Sequence, residues 1–238
     1  IASSNTKGET NLKLVSPLIV LQESDSTYLK RYTLLNNLFE KEDYTNALKQ
    51  TLSLLKEIEN KNYIELEDLG NFLVGDIFRK RNDHDKSLIY FKKSLKFIEN
   101  NQGFNNDKLV LYNTQSQKEK PLARTLLRIG SEYYKLNKKD SAAIYFKKII
   151  EISSLNDFPD IKASGYTNLS SIQLEKANFI LAREYALQAV EIYKNNNNKL
   201  SEASALNNLA NIYLVEKNYA KAKVIYTEAI DLIKNDKS

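Results

Sequence analysis

The chain has one histidine, His84, set between Asp83 and Asp85 in the stretch RNDHDKS. Flanking carboxylates raise a histidine's pKa and could make it a proton carrier near neutral pH. Acid–base or metal chemistry needs several convergent groups, however, and there is no second histidine and no cysteine. A lone exposed turn histidine is the simpler reading. Glu65, Glu67 and Asp68 cluster where a helix is expected to begin, and the positive end of the helix dipole accounts for them without a catalytic dyad. No phosphate-binding GxxxxGK[ST] loop, GxSxG elbow or HExxH pair occurs. Arg124 and Arg128 lie one helical turn apart and Lys135 two turns further on, so on a helix all three share one stripe. Arginine can hold a carboxylate through two parallel hydrogen bonds. These residue types favour binding over catalysis, and no cofactor or metal is expected.

The elements that must carry such a stripe are legible in residues 123–152, ARTLLRIGSEYYKLNKKDSAAIYFKKIIEI. Leu126, Ile129, Gly130 and Tyr133 fall on one helical face. The polar run Asn137, Lys138, Lys139, Asp140 interrupts the pattern, and Ala142, Tyr145, Phe146, Ile149 and Ile150 resume it. Two helices on so short a link lie antiparallel. Small residues are expected where their backbones approach, and Gly130 and Ala142 stand there, twelve positions apart.

The same spacing recurs in Gly75 with Ser87, Ser170 with Ala182, Ala210 with Ala222 and, more weakly, Leu35 with Ala47. SLIYFKKSL at 87–95 nearly copies AAIYFKKII at 142–150. The second-helix anchors Ala47, Ser87, Ala142, Ala182 and Ala222 are separated by steps of 40, 55, 40 and 40. Five copies in frame predict an all-α helical repeat array.

This pattern resembles the tetratricopeptide repeat (TPR). Leu206, Leu209, Ala210, Tyr213, Tyr219, Ala222, Tyr226 and Ala229 fill its eight signature places in the last copy, at 203–236. The other copies are 28–61, 68–101, 123–156 and 163–196. Leu35, Lys139 and Ala186 depart from the pattern, and Glu59, Glu99, Ser154, Lys194 and Lys234 replace the family's late proline. A 40-residue step without that proline predicts longer helices, as in the 40-residue TPR class of peptide-binding adaptors and bacterial regulators. The resemblance implies a right-handed superhelical array of antiparallel helix pairs, non-catalytic, with a concave groove lined by the first helix of each unit.

Carried onto this chain, the groove positions include Asn36 in the first copy and Arg79 and Lys80 in the second. The third supplies Arg124, Arg128 and Lys135, the fourth Asn168, and the fifth Asn207, Asn208 and Asn211. The basic residues suit an acidic segment, and the amides can pair with both N–H and C=O of an extended peptide. Arg124, Arg128 and Asn36 match part of the family's carboxylate clamp. Tyr32 and Leu73 stand where its lysine and second asparagine would be, which argues against that ligand. The plainer alternative is that all these residues are ordinary solvated helix faces. The resemblance thus implies a protein or peptide partner. The alternative function is a sensor or oligomerisation segment of a larger bacterial signalling or transcriptional regulator.

The 238 residues carry a net charge of +5, from 35 basic and 30 acidic side chains interspersed along the helices. A concentrated basic stripe for nucleic acid is absent, and no nucleic-acid partner is expected. No apolar run exceeds five residues, too short to span a membrane. With no methionine, and Ile1 first, the chain reads as a processed or excised part of a longer protein, whose compartment stays open between cytoplasmic and extracytoplasmic. Residues 1–27 read as a polar segment followed by a short capping element behind Ser16-Pro17, the alternative for that element being an extended strip over the first copy. Residues 28–238 carry the five units, with an insertion at 102–122 that either covers the groove or contacts a partner, or else packs passively against helix ends. Pro121 is expected at or beside the first turn of the third copy, and Asp160 and Ser201 as helix N-caps. A family-type polar cap is not found after the fifth copy, so Leu232 or Ile233 is expected to lie open, and the C-terminal end to be available for self-association or docking.

Overall fold

The structure, a computed structural model, describes residues 23–59, 64–100 and 115–235. Among these residues are ten α-helices and no strand: α1 (Glu23–Glu40), α2 (Tyr44–Ile58), α3 (Ile64–Lys80), α4 (His84–Asn100), α5 (Gln115–Lys135), α6 (Lys139–Leu155), α7 (Pro159–Glu175), α8 (Phe179–Asn195), α9 (Lys199–Val215) and α10 (Tyr219–Asn235). The fold is an all-α helical repeat. The expected N-terminal segment and capping element, and the insertion as far as residue 114, lie outside the described residues. From Gln115 the insertion is already helix, the first turns of α5.

The length of the repeat has a simple origin. Helices α6 to α10 are each 17 residues long, and three-residue turns at 136–138, 156–158, 176–178, 196–198 and 216–218 punctuate them. Each 40-residue unit is therefore two equal helix-plus-turn segments, and the extra residues did go into longer helices.

The described three-residue turns all place one residue in the left-handed region, and most add a side-chain cap. Ala177 has φ 56°, in the left-handed region. Its N–H donates to Leu174 O at 2.9 Å, and the next N–H, of Asn178, reaches back to Gln173 O at 2.9 Å. These bonds satisfy the last carbonyls of α7. Asn178 then begins α8, its side-chain oxygen accepting the N–H of Leu181 at 3.3 Å. One residue thus closes one helix and opens the next. Asn198 and Asn218 repeat this arrangement, with Asn197 (φ 53°) and Lys217 (φ 62°) before them. Asp43 and Asp83 cap α2 and α4 in the same way.

Three local expectations change. Ser201 is not the cap of α9; its N–H is the donor that Asn198 accepts, because the left-handed residue falls at 197. Asp160 is not the cap of α7 either. Phe158 holds that place without a side-chain bond, since Pro159 occupies the first helical position, and Asp160 sits in the first turn. Pro121 lies inside α5, which starts at Gln115, six residues earlier than the proline.

Contacts divide the chain into two compact units, one ending at Tyr145 and the other starting at Phe146. In the first unit, Tyr32, Leu35, Ala47, Leu54, Ile58, Leu66, Leu73 and Ile77 form the core of α1, α2 and α3. The small-residue register is visible here as a bond: Ser87 Oγ donates to Gly75 O at 3.0 Å where α3 and α4 approach. A Cβ on Gly75 would stand 2.7 Å from the ring of fully buried Phe91, so glycine is required for this approach. Phe78 stacks on Tyr90 and Tyr133 on Tyr145, both pairs twelve positions apart.

In the second unit α7 packs on α8, α8 on α9 and α9 on α10. Ser170 Oγ donates to Ala182 O at 2.8 Å, the counterpart of the Ser87–Gly75 bond with donor and acceptor helices exchanged. Ala182, Ala186, Leu209 and Ile212 form one cluster, Ala189, Tyr193 and Ala205 another.

Candidate functional site

In the first unit the outward side chains of α1, α3 and α5 converge around a buried carboxylate. Asp76 on α3 is 4% exposed. Its Oδ1 accepts Arg79 Nε at 2.9 Å and Arg128 Nε, from α5, at 3.1 Å. Arg124, one turn before Arg128, lays its guanidinium over the Phe72 ring at 5.1 Å. Tyr32 of α1 is buried beside the cluster, and desolvation pushes its hydroxyl up to about 12 despite a hydrogen bond from Asn36 and the charge of Arg124. Asn36 Oδ1 is buried without a partner among the described residues. Lys80 and Lys135 are exposed at the helix ends.

The basic residues expected to share a stripe are held in different ways. Arg79 and Arg128 are oriented by Asp76, whereas no described residue accepts a hydrogen bond from Arg124, which is held in place by stacking alone. Sequence alone places Asp76 and Phe72 at groove positions without giving them work. The Asp76–Arg79 spacing, three residues on a helix, was the available signal.

The other titratable groups resolve differently from their sequence appearance. His84 is not an isolated turn residue: its Nδ1 lies 2.7 Å from Oε2 of Glu132 on α5. Asp83 pairs instead with Lys86. Glu132 is 1% exposed, and burial raises its pKa against the opposing pull of His84 and Arg79. The nearby Ser87 hydroxyl gives its proton to Gly75 O, and Glu132 Oε1 has no partner among the described residues. Asp68 is 3% exposed and accepts a short bond from Ser94 Oγ at 2.5 Å, so it is a buried cross-helix link rather than a dipole-stabilised surface charge. Among the described residues no group of three or more His, Cys, Asp or Glu could hold a metal ion, and no helix is long and apolar enough to cross a membrane.

In the second unit the amide row lies on α7 and α9. Asn168 Nδ2 donates to Ser164 O of its own helix at 2.8 Å. Asn208 Nδ2 reaches across to Thr167 O of α7 at 3.4 Å. Asn211 Oδ1 accepts the hydroxyl of Tyr226 at 2.6 Å, and Asn207 is exposed. Asn168 and Asn208 keep their carbonyl oxygens and Asn211 its NH2 group for an outside partner, each amide being anchored at its other end. Ser164, Thr167 and Ser171 turn their hydroxyls back onto carbonyls of α7.

The family model of the tetratricopeptide repeat matches residues 123–154, 163–196 and 203–236, three of the helix pairs just described. Residues 123–236 hold three tetratricopeptide repeats. The two earlier TPR-like pairs, α1–α2 and α3–α4, have the same helix–turn–helix form outside the matched segments. Among solved structures, a signal-transduction ATPase with numerous domains and a tetratricopeptide repeat sensor, from Pyrococcus horikoshii, is similar over 94% of this chain and 32% of that one, at a TM-score of 0.73 and 14% identity. BtubC from P. vanneervenii is similar over 87% of this chain and 80% of that one, at 0.70 and 16%. YrrB, a TPR protein with an unusual peptide-binding site, follows over 85% and 84%, at 0.52 and 15%. At such identities the likeness concerns the fold. No curated protein sequence matches this chain.

Proposed function

We propose that this protein is a non-catalytic scaffold whose first-helix faces bind an extended, acidic protein segment. The observation that carries the reading is Arg124: a planar guanidinium fixed over Phe72, with no acceptor for its N–H groups among the described residues, beside Arg128 and Arg79. A cation held this way is ready for a carboxylate and loses little side-chain freedom on binding. Lys80 and Lys135 extend the positive surface of the first unit, and Asn36 adds a neutral hydrogen-bonding group there; in the second unit, taken by itself, Asn168, Asn207, Asn208 and Asn211 offer neutral hydrogen bonds to an extended backbone. The peptide-binding site of YrrB, a protein of the same fold, supports the same class of ligand. A sensor segment of a larger regulator is the second reading, supported by the repeat sensor of the Pyrococcus protein, of which this chain spans 32%.

An array of synthetic peptides of graded charge, probed with the chain, tests the first reading. Wild type should enrich acidic peptides, with affinity falling as salt rises. Arg124→Ala should lose that enrichment and flatten the salt dependence without changing the melting temperature. Equal retention by wild type and variant would place the binding surface elsewhere.

A further inference from the structure

At Asp76 the chain departs from its own repeat. The same groove place is held by Asn36, Ser131, Ser171 and Asn211 in the other four copies, all of them neutral. A neutral side chain therefore suits the helix there. A carboxylate as buried as Asp76 must be offset by partners, and a buried ion pair brings no general gain in stability over neutral packing. Asp76 has two such partners, Arg79 of its own helix and Arg128 of α5, both bonded through Nε to the same oxygen, Oδ1. The charge at this place calls for a reason other than stability.

The site is built as two rungs between α3 and α5. Phe72 lies under Arg124, and one turn further along both helices Asp76 meets Arg128. Each step is four residues, so the rungs are about 6 Å apart along the helices. The first rung is a guanidinium on an aromatic ring, with no acceptor for it among the described residues. The second is a closed ion pair. An anion seated on Arg124 thus lies about one turn from the negative charge of Asp76. In a partly desolvated groove this repulsion is felt, and it grows with the charge the ligand brings. A carboxylate side chain brings one charge and matches one guanidinium through two parallel hydrogen bonds. A phosphate monoester brings about 1.5 to 2 charges, and the next cations it would meet, Arg79 and Arg128, are already committed to Asp76.

We propose, on the footing that the groove binds an acidic segment, that Asp76 is the specificity-determining residue of this site. It sets the site to a single carboxylate side chain in an otherwise uncharged stretch of ligand, and weights it against phosphate and clustered acidic residues. Asp76 is too buried to touch the ligand. It acts through its own charge and through its hold on Arg79 and Arg128.

The experiment uses the chain itself and three fluorescein-labelled peptides, acetylated and amidated, that differ only at one central position: glutamate, glutamine or phosphoserine. Fluorescence anisotropy gives each affinity at one fixed salt concentration. Wild type should bind the glutamate peptide more tightly than the glutamine peptide, and should gain about threefold at most from phosphoserine. Asp76→Asn keeps an acceptor oxygen and introduces the residue type found at this place in the first and fifth copies. It should bind both anionic peptides more tightly and raise the phosphoserine-to-glutamate affinity ratio about tenfold. Adding Arg128→Gln to Asp76→Asn should remove that gain. Thermal melting checks that each variant is folded, and Asp76→Ser, with the residue type of the third and fourth copies, should shift the ratio the same way. A purely structural Asp76 would alter all three affinities alike and leave the ratio unmoved. Equal binding of the glutamate and glutamine peptides would remove the acidic-segment function and this assignment together. Preference for glutamate over glutamine, with a ratio unchanged in both Asp76 variants or a tenfold phosphoserine preference already in wild type, would overturn this assignment alone.

Discussion

His84→Ala tests the electrostatics at the centre of the first unit. Glu132 is almost wholly buried, its Oε1 has no partner among the described residues, and its Oε2 depends on His84 Nδ1 at 2.7 Å. Removing one member of a fully buried pair costs about 3–5 kcal/mol, chiefly by stranding the other charge. His84 keeps 23% of its side-chain exposure, so water can replace part of the lost bond. We therefore expect a cost of about 2–3 kcal/mol at pH 7, or a melting temperature lower by about 4–12 °C for a chain of this size. The pH dependence follows from the raised pKa of Glu132. A carboxyl that is easier to protonate when folded than when unfolded favours the native state in its neutral form. Its charged form subtracts stability progressively as pH rises from the unfolded value of about 4.5 through the higher folded one. Loss of His84 raises the folded value further. The penalty of His84→Ala should thus be largest at neutral pH and shrink toward pH 5, and His84→Ala with Glu132→Gln should be less pH-dependent than His84→Ala alone. Thermal melts at pH 5 and pH 7 measure this. A penalty that is equal at both, or absent at neutral pH, would refute the pairing.

Two further outcomes concern the helical framework. Ala177→Gly should stabilise the chain by roughly 0.5–1 kcal/mol, because glycine accepts the left-handed turn without a Cβ penalty. Asn178→Ala should destabilise it by about 1 kcal/mol through loss of the cap on Leu181 N–H; urea titration of both variants checks the pair. Gly75→Ala should cost about 1–3 kcal/mol by overpacking, since the fully buried Phe91 ring has little room to move, and unchanged unfolding would contradict the close α3–α4 approach.

The repeat was readable in the sequence because it rests on short-range regularities. Small residues twelve positions apart mark where paired helices touch, and the Ser87–Gly75 and Ser170–Ala182 bonds form at those positions. Cap assignments were less secure. Ser201 and Asp160 have the right chemistry but stand three and two residues past the residues that begin their helices, and only the left-handed turn residue fixes the register. Of the candidate site, the arginines and asparagines were visible as residue types at groove positions. What each is bonded to was not, because Asp76–Arg128 and His84–Glu132 join residues 52 and 48 positions apart across different helices. Helical periodicity carries no information about such pairings.

The uniform turn makes the chain divisible. In residues 139–235 the junction inside a helix pair and the junction between pairs have the same length and a left-handed residue at the same place, with an asparagine cap at three of the four. A cut after residue 156 and another after residue 196 therefore fall at equivalent places in the backbone. The intervening 40 residues form a cassette that could be duplicated, deleted or exchanged without altering any turn. An excision of 20 residues would join equally good turns, but it would put a first-type helix where a second-type one belongs and set the Ser170–Ala182 register against the wrong neighbour. Growth of such a chain is thus permitted by its backbone in steps of one helix and restricted by its side chains to steps of two.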